Sequence, residues 1–358
     1  MLAPKFWYPE KNEKSIFSTA LIPLGFIYAL LSKFRMLQSV QKHFDIPIVC
    51  IGNLNVGGTG KTPTTISAAQ FLIEKGYDVH VVSRGYGGTA KGPLLINDKE
   101  YSANEVGDEA LMLSAFAPTW LADKRSAGIK NAISEGAEII LLDDGFQDPS
   151  FYKDLSILTV NAKKGFGNKR CIPAGPLRET LSSGLKRADV VISIGANSSQ
   201  TKFKKKYDKY INLPIAIADL EVLNTGISWE NMKVIAFAGI AHPENFFEAL
   251  RAQGANIVSC QSLSDHQKLS SRLMTRLIEG ARAENAQLVT TEKDYVRLPK
   301  QFRNEVITLP VRIKLNENTM YPAQLNVRGM KSGFLECRVN GGWFLRDLLY
   351  FFFTLCNL

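Results

Sequence analysis

Residues 52–63 of this 358-residue chain form a glycine-rich stretch, GNLNVGGTGKTP, that directly follows the apolar run at residues 46–51. A buried strand that enters such a turn and continues into a helix is the context of a phosphate-binding loop. Glycines let successive backbone N–H groups approach phosphate oxygens, and the following helix adds the positive end of its dipole. We therefore predict that this stretch binds the phosphates of a nucleotide.

The side chains of this loop have separate expected roles. Lys61 is expected to reach the β- and γ-phosphates, and the Thr62 hydroxyl to bind Mg²⁺. The usual pattern has glycine where Asn55 stands, and we expect the loop to form because asparagine tolerates left-handed backbone geometry. The residues expected to contact the nucleotide are Asn55, Val56, Gly57, Gly58, Thr59, Gly60, Lys61, Thr62 and Gln147.

A second motif supplies the acidic groups that a magnesium nucleotide needs. The apolar strand candidate at residues 138–142 is followed by Asp143 and Asp144, a Walker-B pattern. Either carboxylate could hold the metal directly or through water, and the sequence does not choose between them. The alternative is a strand-end turn in which an aspartate caps a helix. Gln147 is a candidate for orienting a phosphate oxygen or a substrate hydroxyl. The candidate metal ligands are Thr62, Asp143 and Asp144.

Strand-like and helix-like segments alternate along most of the chain, which predicts an α/β fold with mostly parallel sheets and helices on both faces. The strand candidates are near-continuously apolar, as expected for strands buried on both faces. The predicted strands are residues 46–51, 78–83, 138–142, 156–160, 189–194, 233–238, 256–259 and 287–290. The predicted helices are residues 63–75, 105–115, 123–135, 243–253 and 267–284.

The length of the chain favours two domains over one, at roughly 150 residues each. We predict two α/β/α sandwich domains, the first of them P-loop NTPase-like, with an apolar segment at each end of the chain. The predicted units are an N-terminal hydrophobic helical segment (1–45), the P-loop domain (46–222), a second α/β domain (223–328) and an atypical apolar tail (329–358).

The N-terminal apolar run, residues 16–31, carries no charge and has basic residues on either side. It is shorter than the roughly 20 residues that a helix needs to span a bilayer, and Pro23 and Gly25 interrupt it. The residues alone leave two interpretations open, a helix at a membrane surface and a helix packed on the first domain. The aromatic-rich run at residues 343–356 leaves the same choice between a docked helix and a second membrane contact.

Composition narrows the range of partners. Lys and Arg total 43 and Asp and Glu total 34, a formal charge of +9, which suits an anionic partner such as a nucleotide or a lipid headgroup. No RNA- or DNA-binding motif accompanies the charge, so a nucleic-acid partner is not expected. The lysine-rich run at residues 202–209 is interpreted as a solvated helix face or loop, with contact to lipid headgroups or nucleic acid as the alternative. Five scattered cysteines and four histidines argue against a disulfide framework or a zinc site.

Together, the motifs of this chain resemble those of the tetraacyldisaccharide 4′-kinase family, the lipid A 4′-kinases. The resemblance runs from about residue 4 to about residue 325. The motifs are, in order, GN and GGTGKTP within residues 52–63, SRGYGG at 83–88, GDEA at 107–110, DDGFQ at 143–147, PAGPLRE at 173–179 and TTEKD at 290–294.

The resemblance implies an activity and a location. Members of the family use ATP and Mg²⁺ to phosphorylate the 4′-hydroxyl of a tetraacyl glucosamine disaccharide 1-phosphate, a lipid A precursor, which gives lipid IVA. Their two α/β/α domains enclose the active site in a cleft, and a hydrophobic N-terminal helix holds them to the cytoplasmic face of the bacterial inner membrane. Residues 16–31 are therefore expected to contact the membrane as a peripheral, monotopic element, and no obligate protein partner is expected.

The resemblance also implies a catalytic pair. The family's aspartate in the Gly-Asp-Glu motif corresponds to Asp108, and its histidine in the second domain corresponds to His266. Asp108 would take the proton of the sugar hydroxyl, and His266 would tune it or relay the proton, because imidazole titrates near neutral pH. The alternatives are a helix cap or an ion pair with a cation at Asp108, and a surface or structural role for His266. Arg178 would bind phosphate or stabilise transition-state charge, with a surface salt bridge as the alternative. The candidate catalytic residues are Asp108, His266, Lys61 and Arg178.

Some motif residues have no assigned site role. The TTEKD stretch at residues 290–294 is assigned to structure or to contact between domains. Arg84 and Tyr86 are either substrate contacts or parts of a structural turn. The chain departs from the family at Asp148 and Pro149, where members usually have a basic or histidine-containing stretch.

The alternative function is a membrane-associated P-loop ATPase without phosphotransfer to a small molecule. Such ATPases carry a signature lysine just before the glycine pair of the loop. Val56 occupies that position here, which argues against this alternative.

Overall fold

Two β-sheets with helices on both faces form the body of the molecule, an α/β fold as predicted from the sequence. The computed structural model describes residues 3–9, 15–38, 41–265 and 267–315, together with the backbone of residues 338–339 and 342–343. Most of the predicted tail, 329–358, lies outside the described residues. Within it, the strands Arg338–Val339 and Gly342–Trp343 pair antiparallel.

Each sheet is built mainly from parallel strands. The strands are, in chain order, β1 (Ile48–Gly52), β2 (Val79–Ser83), β3 (Leu94–Leu95), β4 (Thr119–Leu121), β5 (Ile139–Asp143), β6 (Leu155–Asn161), β7 (Val190–Ile194), β8 (Ile215–Val222), β9 (Lys233–Ala238), β10 (Asn256–Ser262), β11 (Gln287–Thr291), β12 (Val306–Leu309) and β13 (Val311–Leu315). The larger sheet has the order β13-β8-β7-β6-β1-β5-β2-β4-β3, and the smaller has the order β10-β9-β11-β12. The edge strands β3 and β13 of the larger sheet pair antiparallel with their neighbours.

Helices cover both faces of the larger sheet. Because successive side chains of a strand point to opposite faces, β1 places Val49 in the core beneath one helical layer and Cys50 in the core beneath the other. The helices are α1 (Ile16–Ala20), α2 (Ile22–Leu37), α3 (Lys61–Glu74), α4 (Ala103–Val106), α5 (Asp108–Leu113), α6 (Arg125–Ser134), α7 (Leu181–Arg187), α8 (Asn197–Tyr207), α9 (Pro243–Ala252), α10 (Ser271–Ala283) and α11 (Glu292–Tyr295).

The chain leaves the larger sheet after β8, builds the smaller sheet and then returns to the larger one through β13. In the returning pair, Arg312 on β13 is in register with Glu221 on β8. The unit predicted as a second domain, 223–328, therefore includes one strand that belongs to the larger sheet. The two sheets are consequently joined by two crossings of the chain, one on each side of the smaller sheet.

The single helix predicted at residues 105–115 is in fact two short helices. α4 ends just before Gly107 and α5 begins just after it at Asp108, because Gly107 has a φ of +85° that no α-helix contains. A Cβ at Gly107 would lie 2.7 Å from the carbonyl oxygen of Tyr86. The turn at residues 83–88 therefore packs against this glycine and determines where Asp108 begins its helix.

The apolar run at residues 16–31 likewise forms two helices, α1 and α2. Pro23 lies in the first turn of α2, where its missing N–H has no hydrogen bond to lose. Gly25 packs against the segment that follows β6, since a Cβ there would lie 2.9 Å from the carbonyl oxygen of Cys171. The opposite side is apolar and exposed, with Ile16, Phe17, Ile22, Leu24, Phe26, Ile27, Leu30 and Leu31 open to solvent. Within the described ranges, no helix has the length and apolar content that crossing a bilayer requires.

Candidate active site

The glycine-rich loop lies at the carboxyl end of β1, in the middle of the larger sheet. α3 begins at Lys61, directly after Gly60, whose φ is +91°. A Cβ at Gly60 would fall 2.5 Å from Cδ1 of Ile194, so this turn requires glycine both for its φ and for its close approach. Gly57 has a φ of +110° and open space where a Cβ would be. The loop thus presents open backbone at the N-terminus of α3, which is the geometry that binds phosphate.

Polar side chains beneath the loop support it from inside. Nδ2 of Asn53 donates to the carbonyl oxygen of Gly57 at 3.2 Å and to Oγ1 of Thr59 at 2.9 Å. Oγ1 of Thr59 lies 2.9 Å from Oγ1 of Thr159 on β6. Because the Thr59 side chain is buried in this chain of hydrogen bonds, it supports the loop, and only its backbone is available to a ligand.

A second segment, residues 170–178, braces the outer side of the loop. The N–H of Val56 donates to the carbonyl oxygen of Pro176 at 2.8 Å, and the N–H of Arg178 donates to the carbonyl oxygen of Leu54 at 2.8 Å. The N–H of Val56, one of the predicted nucleotide contacts, is therefore already engaged. The same pairing carries Arg178 to the edge of the loop.

Asn55 does not need the left-handed geometry that asparagine tolerates. Asn55 is not among the described non-glycine residues with a positive φ. Its buried side chain instead donates from Nδ2 to the carbonyl oxygen of Gly165 at 3.0 Å and to the hydroxyl of Tyr8 at 3.4 Å. The asparagine that replaces the usual glycine therefore ties the loop to two neighbouring segments.

Lys61 and Arg178 converge on Asp144, which directly follows β5. Nζ of Lys61 lies 3.6 Å from Oδ1 of Asp144, and Nη1 of Arg178 donates to the two carboxylate oxygens at 2.9 and 3.0 Å. Burial would raise the pKa of Asp144, but Lys61 and Arg178 outweigh it and hold the pKa below its ordinary value. The structure thus brings together three predicted site residues from three separate motifs.

Asp143 is the last residue of β5 and is buried beside α3. Oγ1 of Thr65 donates to its Oδ1 at 3.4 Å, one turn after the buried Thr62. Burial, reinforced by the carboxylate of Glu109, raises the pKa of Asp143 to about 7. In the described part of the chain, no three His, Cys, Asp or Glu side chains form a ready metal cluster. A cation at Asp143 would therefore need further oxygen ligands from a bound nucleotide.

Gln147 is held in a polar network that joins two motifs. Its Nε2 donates to the carbonyl oxygen of Asn53 at 2.9 Å and to Oε1 of Glu179 at 3.1 Å. Glu179 is in turn bound by Arg187, whose Nη2 donates to both carboxylate oxygens at 2.6 Å. The amide oxygen of Gln147 accepts from Arg178 at 3.4 Å. The network therefore fixes Gln147 and Arg178 relative to the phosphate-binding loop.

Asp148, where the chain departs from the family pattern, stabilises the turn that follows Gln147. Its carboxylate accepts from the hydroxyl of Ser150 at 2.6 Å and lies 3.4 Å from Nη1 of Arg125. Burial would raise the pKa of Asp148, but the hydrogen bonds from Ser150 and the charge of Arg125 hold it below its ordinary value. Arg125 also donates to the carbonyl oxygen of Asp144 at 2.8 Å, so it links this turn to the candidate metal ligands at the end of β5.

Asp108, the first residue of α5, lies buried where the two sheets meet. Nζ of Lys293, from the smaller sheet's side, lies 3.8 Å from Oδ2 of Asp108 and 3.2 Å from Oε1 of Glu109. Burial would lower the pKa of Lys293, but Glu109, Asp108 and then Asp265 outweigh it and raise the pKa. His266 lies outside the described residues, and its neighbour Asp265 is close enough to act on Lys293.

The two substrate candidates in the turn at residues 83–88 are not held in the network that fixes Lys61, Arg178 and Asp144. Arg84 and Tyr86 are both exposed after β2. The backbone of this turn, rather than these side chains, makes the close contact with Gly107.

Sequence reasoning missed several residues that complete the site. Glu179 stands next to Arg178 in the PAGPLRE motif, so its position is a usable signal. Lys293 belongs to the TTEKD stretch, which is assigned to structure or domain contact, and it does make such a contact. Arg125 and Arg187 lie outside the family motifs, at the start of α6 and the end of α7, and nothing in the sequence marks them.

Comparison with known proteins assigns the chain to a family. A family model described as tetraacyldisaccharide-1-P 4′-kinase (LpxK) matches residues 17–328. The chain belongs to this family. The tetraacyldisaccharide 4′-kinase of Jannaschia sp. (strain CCS1) is 49% identical over 317 residues, which cover 88% of this chain and 96% of the relative. That of Dinoroseobacter shibae is 46% identical over 327 residues, which cover 91% and 97%.

A solved structure of the LpxK family has the same fold. The "apo" form of LpxK from Aquifex aeolicus, described as in complex with ATP, matches with a TM-score of 0.68 at 26% identity. The match covers 84% of this chain and 96% of that one. The LpxK family match contains the larger and the smaller sheet and ends before the tail at residues 329–358.

Proposed function

We propose that this chain is an ATP-dependent kinase that phosphorylates the 4′-hydroxyl of a tetraacyl glucosamine disaccharide 1-phosphate, a lipid A precursor, to give lipid IVA. The observation that carries the proposal is the convergence of Lys61, Arg178 and Asp144 beside the glycine-rich loop of an LpxK-family chain. The names of the relatives supply the acceptor, and the A. aeolicus structure supplies the nucleotide. In this account the first domain is P-loop NTPase-like, and the second α/β domain completes the cleft.

The triphosphate of ATP is expected at the N-terminus of α3. The backbone around Gly57 and Gly58 is open, which leaves room for phosphate oxygens. Lys61 is paired with Asp144 here, so its ammonium already points into the site. An incoming phosphate would share that ammonium, because charge-assisted hydrogen bonds to phosphate are strong.

Mg²⁺ fits the oxygen donors around the end of β5. Thr62, Asp143 and Asp144 offer one hydroxyl and two carboxylates, the hard oxygen ligands that this cation prefers. Asp143 is buried and its pKa is raised by that burial to about 7, so a cation beside it would relieve the cost of its charge. When bound, the ion would neutralise charge on the β- and γ-phosphates.

The acceptor hydroxyl is expected to meet Asp108. The carboxylate would take its proton while the sugar oxygen bonds to the γ-phosphorus, and the bond from that phosphorus to the bridging oxygen would break, leaving the electron pair on ADP. Arg178 would stabilise charge on the transferred group once phosphate joins its present partner, Asp144. The role of His266 as relay or tuning group rests on the family resemblance.

The lipid acceptor requires a membrane surface, and we infer that α1 and α2 provide the contact. Their apolar side chains face solvent on one side, while the other side packs on the first domain. Such a helix lies in the bilayer interface and does not span it. The enzyme would then be peripheral, on the cytoplasmic face of the inner membrane, where ATP is available.

Mass spectrometry of the lipid product tests this proposal. The purified protein, incubated with ATP, Mg²⁺ and the tetraacyl disaccharide 1-phosphate in micelles, should add one phosphate to the distal glucosamine. Lys61→Met should lower kcat about 100-fold or more, because it removes the cation at the phosphates. Lys75→Met, which changes an exposed lysine just after the same helix, should leave kcat within about twofold. ATP hydrolysis with no phosphorylated lipid would contradict the proposal and favour the P-loop ATPase alternative.

A further inference from the structure

Helix α11 connects three parts of the molecule through three consecutive charged side chains. Glu292 pairs with Arg312 on the returning strand β13, at 2.8 Å. Asp294 is buried and accepts a hydrogen bond at 3.1 Å from the N–H of Gly239, just after β9. Between these two anchors, Lys293 extends toward α5. Glu292 thus ties α11 to the larger sheet, and Asp294 ties it to the smaller sheet. The position of Lys293 between them therefore depends on how the two sheets are packed together.

The Lys293 side chain ends beside two carboxylates, those of Asp108, the residue proposed as the base, and its neighbour Glu109. Its Nζ lies 3.8 Å from Oδ2 of Asp108 and 3.2 Å from Oε1 of Glu109, which keep the ammonium protonated. The side chains of Lys293 and Asp108 are 23% and 6% exposed. Ion pairs at this degree of burial are weakly screened, and losing one partner leaves the other charge uncompensated. The contact is therefore unlike a surface salt bridge, which contributes little.

A general base acts only when its oxygen is within hydrogen-bond reach of the proton it takes. Asp108 is the first residue of a short helix that begins just after the positive-φ turn at Gly107, and its Oδ1 accepts a hydrogen bond at 3.0 Å from the N–H of Glu109. Lys293 adds a positive charge from the smaller sheet's side, 3.8 Å from the other carboxylate oxygen, Oδ2. A misplacement of about 1 Å can cost an enzyme about 100-fold in rate.

We propose that Lys293 is the positioning residue for Asp108: its ammonium crosses from the second domain and holds the carboxylate in the orientation that receives the acceptor proton. This inference rests on the proposed kinase function. It gives the TTEKD stretch a role in catalysis, through Asp108. It also implies that Asp108 is correctly oriented only while α11 lies against α5.

Substitution of Lys293 tests the inference in the full-length enzyme. Lys293→Met should lower kcat about 10- to 100-fold and leave KM for ATP within about twofold, because the phosphate-binding loop is untouched. Lys293→Arg should recover most of the loss, since it restores a cation of similar reach. Lys300→Met is the matched control. Lys300 also joins the two parts of the molecule, because its Nζ donates to the carbonyl oxygen of Lys99 at 2.6 Å, but this contact does not involve Asp108, and kcat should stay within about twofold.

A double-mutant cycle decides whether Lys293 acts through Asp108. In an Asp108→Asn background, Lys293→Met should add less than about a twofold loss, because there is no base left to position. An equal loss in both backgrounds, or wild-type kcat for Lys293→Met alone, would overturn the inference. Circular dichroism melts check folding, and Lys293→Gln enters the same cycle if the methionine variant unfolds early. A wild-type chain that phosphorylates no lipid would instead contradict the proposed function, so the two failures are distinguishable.

Discussion

Asp144 occupies a backbone conformation that few non-glycine residues adopt, with a φ of +54°. Such a conformation costs of order 1–3 kcal/mol and persists only where the surroundings hold it. Here Arg125 binds the carbonyl oxygen of Asp144, while Lys61 and Arg178 bind its carboxylate. The unusual turn directs this carboxylate toward the phosphate-binding loop, where a regular continuation of the strand would not.

At Gly107 we predict that a single added methyl group displaces the base. Gly107→Ala forces a side chain into a φ of +85° and places its Cβ 2.7 Å from the carbonyl oxygen of Tyr86. Gly76→Ala is the matched control, because Gly76 has a φ of +89° and open space around it. We expect both to lose about 1 kcal/mol from backbone strain, and only Gly107→Ala to lose more, with kcat reduced about tenfold or more as Asp108 shifts. Urea unfolding and initial rates measure both. Equal losses in the two variants would contradict the close-packing argument.

His80 gives the stability of the first domain a predictable dependence on pH. Nε1 of Trp120 donates to Nδ1 of His80 at 3.2 Å, which requires that nitrogen to be unprotonated. Burial lowers the pKa of His80, although Asp78 opposes the effect. In the unfolded chain the pKa is about 6.5, so below that pH the unfolded state binds the proton first and stability falls.

The measurement compares wild type with His80→Gln by urea unfolding at about pH 8 and about pH 5.5. The wild type should lose more of its free energy of unfolding over this interval than the glutamine variant does, because only the wild type carries the titrating imidazole. A variant that loses as much as the wild type would show that His80 does not contribute to the pH dependence.

Among the elements, the N-terminal helices are fastened to the segment that also braces the phosphate-binding loop. Nδ2 of Asn168 donates to Oγ of Ser18 and to the carbonyl oxygen of Ala174, both at 2.9 Å. Nε1 of Trp7 donates to the carbonyl oxygen of Pro173 at 3.0 Å. The exposed apolar face of α1 and α2 is thus held in a set orientation relative to the active site.

We predict that this apolar face binds lipid. Phe26, Leu30 and Phe34 are spaced four residues apart on α2, so they share one face, and each is more than half exposed. The double variant Phe26→Glu, Leu30→Glu should lose most of its co-sedimentation with anionic phospholipid vesicles, because it removes apolar burial and adds charge repulsion. Ile73→Glu, at an exposed apolar residue of α3, should sediment like wild type. Undiminished sedimentation of the double variant would contradict the proposed membrane contact.

At the scale of the whole molecule, short sequence patterns predict the strands and the phosphate-binding motifs, because these depend on residues that are close together in the chain. The strand predicted at residues 233–238 has the bounds of β9, and the one predicted at 46–51 lies within two residues of β1. Buried parallel strands are recognisable because both faces are apolar. The glycine-rich loop and the acids after β5 were also found, because their chemistry requires particular residues next to one another.

The parts that depend on distant chain segments could not be predicted. Nothing in the sequence near Arg312 indicates that β13 returns to pair with β8. This pairing depends on where the smaller sheet, which lies between the two strands in the chain, leaves the chain relative to β8. The partners of Lys293 and Arg187 are likewise set by packing between elements. The helical pattern continues through Gly107 and therefore predicts one helix, whereas the contact of Gly107 with the preceding turn breaks the helix there.

A crystal structure with Mg²⁺ and a non-hydrolysable ATP analogue would show directly whether the glycine-rich loop presents phosphate to Asp108. We predict that the triphosphate lies against the backbone of residues 57–62, with the terminal phosphate contacted by Nζ of Lys61 and open toward Asp108. A loop without bound phosphate, or a terminal phosphate that points away from both Lys61 and Asp108, would contradict it.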